Sequence, residues 1–289
     1  MDVMGRIERA LYAAVSRADA PICPPHLAAA MRHAVFPRGA RIRPRLCLAV
    51  AAACGEDEPD VTDAAAAAIE LLHCASLAHD DLPCFDDADT RRGRPTVHRA
   101  FGEPLAVLAG DALIVLAFQT LAYGAAVTPK RLAPLMLTVA GSVGVPGGIV
   151  AGQAWECEDA VDLAQYQREK TGALFAAATV AGAASAGAEA EPWRLLGARL
   201  GEAFQVADDI LDATAHPDAV GKPVGKDMAL DRPSAVRELG LDGAIMRLES
   251  LAAAAVDAVP ACPGATALRS HILTETMRLL PKELARHAA

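Results

Sequence analysis

Apolar residues recur every three to four positions along most of this chain. Polar breaks at 21–25, 36–40, 55–61, 82–102, 143–148, 187–192, 213–232 and 259–264 cut that pattern into helix-length pieces. The breaks are rich in Pro, Gly and Asp, the residues of turns. No repeat of fixed period is visible, and no break has the composition of a flexible linker. The pattern therefore predicts an all-α fold read as a single domain over residues 1–289. Two of the predicted helices stand out. One covers 62–81, with Thr62 or Asp63 as N-cap and Pro83 closing it soon after its end. On it His73, Ser76, Leu77 and Asp80 fall at i, i+3, i+4 and i+7 and share a face. The other covers 193–212, where Gln205, Asp208, Asp209 and Asp212 make one polar stripe on an otherwise apolar helix. That stripe contains no Lys or Arg, although a solvated helix face ordinarily mixes signs at this spacing.

Composition sharpens the picture. The 289 residues are 53% hydrophobic but only 4% aromatic, and much of the apolar content is alanine. Alanine is the strongest helix former, so the chain predicts helices that approach closely. A net charge of −9 argues against a nucleic-acid footprint, which needs basic stripes. No run of 18 uninterrupted apolar residues is present, and the Ala/Gly-rich stretch 172–188 reads as a buried helix, so no transmembrane segment is expected. The first twenty residues carry Asp2, Arg6, Glu8 and Arg9 and lack the apolar core of a signal peptide. Seven cysteines without C-x-x-C spacing fit reduced thiols in the cytoplasm, with Cys47, Cys54 and Cys74 as small core residues.

The candidate chemistry lies in two acidic clusters, Asp80-Asp81-Leu-Pro-Cys-Phe-Asp86-Asp87 and Asp208-Asp209-Ile-Leu-Asp212. Two like charges about 4 Å apart repel by about 4 kcal/mol at an effective dielectric of about 20. Two such clusters with apolar flanks point to multivalent cations. Mg²⁺ fits, because it uses one or two carboxylates and completes its shell with phosphates and water. Asp86 lies beyond Pro83, so it has to return to Asp80 through a turn. Basic groups stand apart from the clusters: Arg38, Arg41, Arg43 and Arg45; Arg91, Arg92 and Arg94; Lys170; and Lys222 and Lys226. Arg suits bidentate contact with phosphate and Lys acts as a point charge. The arrangement fits two diphosphates, one held through Mg²⁺ and one held directly by Arg and His.

These residues carry a resemblance. ELLHCASLAHDDLPCFDDADTRRGRPTVHRAFGEPLAVLAGDAL resembles the first Asp-rich region of the trans-isoprenyl diphosphate synthases, and GEAFQVADDILDATAHPDAVGKPVGKD resembles the second. GARIRP and EKTGALF match two further family blocks in the expected order. The likeness spans roughly 35–235 and is strongest to bacterial geranylgeranyl diphosphate synthases of carotenoid pathways. It implies an all-α bundle around a deep central cavity, a homodimer, and sequential head-to-tail condensation of isopentenyl diphosphate onto an allylic diphosphate. It implies three Mg²⁺ held by Asp80, Asp81, Asp86, Asp208, Asp209 and Asp212. Arg91, Lys170, Thr171, Gln205 and Lys222 resemble residues around the allylic diphosphate, with Lys170, Thr171 and Gln205 offering dipoles near the developing cation. Arg43, His73 and Arg92 resemble those that hold isopentenyl diphosphate.

Two departures matter. The family's GKR block reads Gly39-Ala40-Arg41, without its lysine, and a second family lysine in the substrate-binding set is Arg232. Arg38 or Arg41 is expected to compensate for Ala40. Chain length is expected to be set near Ala75 and Ser76. Ala75 lies five residues before Asp80, about 7.5 Å along the helix. In the family bulky aromatics here stop growth at fifteen carbons, so two small residues imply the twenty-carbon product. The alternatives are a farnesyl diphosphate synthase, a terpene cyclase or head-to-head synthase, and a non-catalytic modulatory subunit. A cyclase has no use for Arg43, His73 and Arg92, and modulatory subunits tend to lose an Asp motif that is whole here.

Overall fold

The computed structural model describes residues 2–36, 39–160, 162–214 and 234–279. Thirteen helices carry the described chain: α1 (Val3–Val15), α2 (Pro25–Val35), α3 (Ile42–Cys54), α4 (Pro59–Asp80), α5 (Val97–Phe101), α6 (Glu103–Gly124), α7 (Pro129–Val143), α8 (Ile149–Ala154), α9 (Leu163–Gln167), α10 (Ala173–Ser185), α11 (Arg194–Thr214), α12 (Ala235–Asp257) and α13 (Ala265–Met277). The all-α expectation holds, with one addition. A two-residue antiparallel hairpin, β1 (Thr90–Arg91) and β2 (Arg94–Pro95), sits inside the break at 82–102. Two compact units are distinguished by their internal contacts. One comprises Met1–Ala52, Glu56–Val139 and Ala181–Ala188, the other Ala53–Gly55, Ala140–Val180 and Glu189–Ala289.

The first unit is built on α4 and α6. Helix α4 starts three residues earlier than its sequence suggested, because Pro59 occupies the first turn, where its missing N–H costs nothing. Thr62 is consequently a buried interior residue rather than a cap. Alanines 64–68 and Ile69, Leu71 and Leu72 of α4 are buried. Small residues let the helices approach: a Cβ on Gly124 of α6 would fall 2.2 Å from Ala64 Cβ. Arg6 on α1 ties down the start of α4 through Asp63, both Glu56 oxygens and the Pro59 carbonyl. By length and composition α4 and α6 could each cross a membrane; α4 is mostly buried within the protein, and α6 leaves Val107, Leu108, Val115 and Tyr123 exposed.

The second unit packs α11 against α12 over Ala203, Ala207, Ile210, Ala244, Leu248 and Leu251. Between α9 and α10 the chain forms one π turn, Arg168–Gly172, a feature that often marks a functional site. Its backbone is approached from two sides at positions where only glycine fits. A Cβ on Gly152 would lie 2.4 Å from Lys170 N, and one on Gly201 would lie 2.8 Å from Gly172 Cα.

Candidate active site

In the first unit, the end of α4 presents the first acidic cluster. His73, Ser76, Leu77 and Asp80 all keep partial exposure while Cys74, Ala75 and Ala78 are buried, so the shared face read from the spacing is real. Past Pro83 the chain turns back: Asp86 N donates to the Asp80 carbonyl at 3.0 Å, and Ala88 N donates to the Asp81 carbonyl at 3.2 Å. The turn that brings Asp86 to Asp80 is therefore present. The buried Thr96 hydroxyl closes the loop on the Ala88 carbonyl at 2.7 Å.

The hairpin explains the Arg-Arg-Gly-Arg run. Arg92 and Gly93 both take positive φ, 53° and 73°, as the tight turns that match strand twist require. Arg91 ends the first strand and Arg92 lies in the turn, and the two find different partners. Arg91 donates through Nε and Nη2 to the Asp81 carboxylate at 2.6–2.9 Å, with Asp80 Oδ2 3.9 Å away. Burial opposes the Arg91 charge, but the Asp81 hydrogen bonds and charge, with Asp80 and Asp86, hold it more firmly protonated than usual. Arg92 lies against the Gly39 backbone, where a Cβ would fall 2.5 Å from its guanidinium carbon.

His73, Arg43 and Arg92 act on one another electrostatically. Burial, then Arg43, Arg92, Arg91 and Arg41 in turn, push the His73 imidazole well below its ordinary range, so it is neutral at pH 7. Burial pushes the Arg43 guanidinium down to about 10, with Arg92 adding to the effect and Glu70 opposing it. An imidazole under the positive charge of several arginines fits the neighbourhood of an anion, although Arg91 and Arg41 already have carboxylate partners.

Arg41 reaches His73 only through its charge, and its donors are engaged elsewhere. Its side chain is fully buried, with Nε on Glu8 at 3.0 Å, Nη1 on Glu70 at 2.7 Å and Nη2 on the Val35 carbonyl at 2.9 Å. Burial works against its charge and the Glu70 and Glu8 carboxylates outweigh it. The expectation that Arg41 replaces the lysine missing at Ala40 is therefore overturned: its donors are committed to α1, α2 and α4. Arg38 lies outside the described residues. Glu70 was not singled out from the sequence, although a lone carboxylate inside the apolar run of α4 signals a buried cationic partner.

In the second unit, the π turn carries Lys170 and Thr171, and α11 carries the second acidic cluster. Lys170 Nζ pairs with Glu156, which also accepts from Tyr166 Oη at 2.6 Å and Gln153 Nε2 at 3.1 Å. Burial pushes the Tyr166 phenol up to about 12, so it stays a donor. Tyr166 had not been picked out; its spacing of i to i+4 from Lys170 on a helical run is the signal that could have found it. Thr171 Oγ1 donates to Gln205 Oε1 at 3.2 Å, and Gln205 Nε2 donates to Asp209 Oδ1 at 3.0 Å. Asp209 Oδ2 also accepts from Ala235 N, at the start of α12, at 2.8 Å.

The polar stripe on α11 is thus divided. Asp209 is 4% exposed and turned toward α12, while Asp208 and Asp212 stay partly exposed. The first cluster divides the same way, with Asp81 2% exposed on Arg91 and Asp80 and Asp86 partly exposed. Among the described residues, no three His, Cys, Asp or Glu gather as a self-sufficient metal site. The pairs Asp80/Asp86 and Asp208/Asp212 offer hard oxygen donors in the number Mg²⁺ takes when phosphate and water complete its shell, so the donor set fits. Lys222, Lys226 and Arg232 lie outside the described residues. Trp193 is a core residue, whereas Trp155 hydrogen-bonds the buried Glu169 at 2.7 Å.

Known proteins align with this arrangement. Residues 24–252 match the family model described as polyprenyl synthetase. A geranylgeranyl diphosphate synthase of Cereibacter sphaeroides is 53% identical over 280 residues, covering 97% of each chain. One of Rhodobacter capsulatus is 54% identical over 264 residues, covering 91% of each. Among solved structures, a geranyltransferase from Legionella pneumophila superposes with a TM-score of 0.80 at 26% identity, covering 99% of this chain and 96% of that one. A geranyltransferase from Helicobacter pylori, complexed with magnesium and isoprenyl diphosphate, superposes with a TM-score of 0.79 at 28% identity, covering 96% and 98%. Match length, identity and fold agree: the chain belongs to the polyprenyl synthetase family.

Proposed function

We propose that this protein condenses isopentenyl diphosphate head-to-tail with allylic diphosphates of five to fifteen carbons and releases geranylgeranyl diphosphate. The observation that carries the reading is the pair of cations Arg43 and Arg92 with the neutral His73, in the unit that also bears the first acidic cluster. A cyclase, which has one diphosphate to bind, has no use for it. Asp80, Asp86, Asp208 and Asp212 are proposed to hold Mg²⁺ with the allylic diphosphate, three ions by the family likeness. Asp81 and Asp209, the other two carboxylates of the clusters, are buried, Asp81 on Arg91 and Asp209 on Gln205 and Ala235 N. Bound Mg²⁺ would neutralise charge that develops on the leaving diphosphate.

The chain's own residues do the rest. Arg91, fixed on Asp81, and Lys170, fixed on Glu156, set positive charge beside the departing group. Thr171, held by Gln205, places a dipole toward the allylic carbon. Arg43, Arg92 and the neutral His73 orient the second substrate so that its alkene meets that carbon. The released diphosphate takes the final proton. Ala75 is buried, and Ser76, whose hydroxyl donates to the His73 carbonyl at 2.9 Å, is the partly exposed member of the proposed length-setting pair. We further propose a homodimer through the exposed apolar residues of α6, both units acting as one domain, and a reducing cytoplasmic setting consistent with seven free cysteines.

The test is turnover of isopentenyl diphosphate with dimethylallyl, geranyl or farnesyl diphosphate, read by product mass. Arg92→Ala should raise the KM for isopentenyl diphosphate far more than that for farnesyl diphosphate. Equal effects on both would remove the assignment. A fifteen-carbon end product would favour the farnesyl diphosphate synthase alternative.

A further inference from the structure

The hydrogen bonds from Thr171 to Asp209 have a direction that the chemistry of the groups enforces. Both Asp209 oxygens receive N–H groups: Oδ2 from Ala235 N at 2.8 Å and Oδ1 from Gln205 Nε2 at 3.0 Å. A main-chain N–H at a helix start can only donate. With Asp209 accepting, Gln205 has to turn its NH₂ toward Asp209 and its carbonyl toward Thr171. That carbonyl can only accept, so the Thr171 hydroxyl, 3.2 Å away, spends its single proton on Gln205. The Thr171 oxygen then has only lone pairs to offer anything else that approaches it.

We propose that Asp209 is a positioning residue that fixes the polarity of the Thr171–Gln205 pair, so that Thr171 presents lone pairs rather than a proton to the reacting allylic carbon. The inference rests on the prenyl-transfer reading. A carbocation is stabilised by an oxygen lone pair and opposed by the positive end of an O–H bond, and a dipole held in place before reaction needs no reorientation as charge develops. The device is buried: Asp209 is 4% exposed and its anchor, Ala235 N, is main chain. It also accounts for the division of the α11 stripe, in which Asp209 faces α12 while Asp208 and Asp212 stay partly exposed.

Asp209→Asn tests the polarity directly. Its Oδ1 takes the Ala235 N–H, leaving NH₂ toward Gln205. Gln205 must then flip, Thr171 must accept, and its proton points at the allylic carbon. We expect kcat to fall roughly 10- to 100-fold, with both substrate KM values and the half-saturating Mg²⁺ concentration within about two-fold of the parent. Adding Gln205→Glu restores an acceptor-only group between Asn and Thr171 and returns the net charge to its original value. The double variant should therefore recover to within about three-fold of the parent kcat. A metal-ligand role predicts a raised Mg²⁺ requirement and no recovery, and either result overturns the proposal, as does an unchanged kcat in Asp209→Asn. Should the single variant fold too poorly to assay, the double variant decides by the same recovery. A parent enzyme that turns over no isopentenyl diphosphate would sink the functional reading instead.

Discussion

Gly39→Ala is the most local perturbation of the proposed second-substrate site. Gly39 has no positive φ, so its backbone accepts alanine. The added methyl would sit 2.5 Å from the guanidinium carbon of Arg92 and 2.5–2.8 Å from its two terminal nitrogens. Carbon contacts are comfortable at about 3.5 Å, so the guanidinium has to retreat by about 1 Å. A charge-assisted hydrogen bond near 2.8 Å lengthened by about 1 Å is no longer a hydrogen bond. Such a bond contributes about 1.5–3 kcal/mol, so the KM for isopentenyl diphosphate should rise about 10- to 100-fold. The assay is steady-state turnover with each substrate varied in turn, alongside a thermal melt. The KM for farnesyl diphosphate and the melting temperature should barely move, because Gly39 lies in a connection between helices rather than in a core. An unchanged KM for isopentenyl diphosphate would refute the packing of Arg92 on Gly39 as a functional contact, and an equal rise in both KM values would refute its assignment to one substrate.

Other outcomes follow from Arg41, His73 and the proposed length-setting pair. Arg41→Ala strands Glu70, which is 1% exposed, and should cost about 3–5 kcal/mol in a urea melt; a loss under about 1 kcal/mol contradicts the network. His73 has its folded pKa depressed below the unfolded value of about 6.5, so its contribution to stability is complete above about pH 6.5 and declines as pH falls below it. His73→Gln should flatten that acid decline, and a melt that falls as steeply as the parent's between pH 6.5 and 5 speaks against it. Ala75→Phe and Ser76→Phe should each shorten the product by mass spectrometry. The buried Ala75 should also show an overpacking cost of about 1–3 kcal/mol, and an unchanged product in both rules out this floor.

Much of this was legible in the chain. Helical period and Pro83 fixed the end of α4, and the position of Asp86 beyond that proline forced the turn that returns to Asp80. Spacing also identified the face bearing His73 and Asp80. What spacing could not show is how a stripe divides. Asp208 and Asp209 are neighbours in sequence, and only the packing of α12 decides that Asp209 turns inward to Ala235. Arg41 was misassigned for the same reason: an arginine beside a proposed phosphate site looks identical in sequence whether its partners are anions in solvent or Glu8 and Glu70 in the core. The π turn at Arg168–Gly172 leaves no period of its own, and the close approach of Gly152 and Gly201 to its backbone appears only in the structure.

The central claim is tested most directly by turnover of the purified protein. Isopentenyl diphosphate, farnesyl diphosphate and Mg²⁺ should give a twenty-carbon diphosphate, lost on chelation with EDTA and restored by added Mg²⁺. A protein that consumes no isopentenyl diphosphate with any allylic partner, or that releases a hydrocarbon instead of a diphosphate, contradicts it.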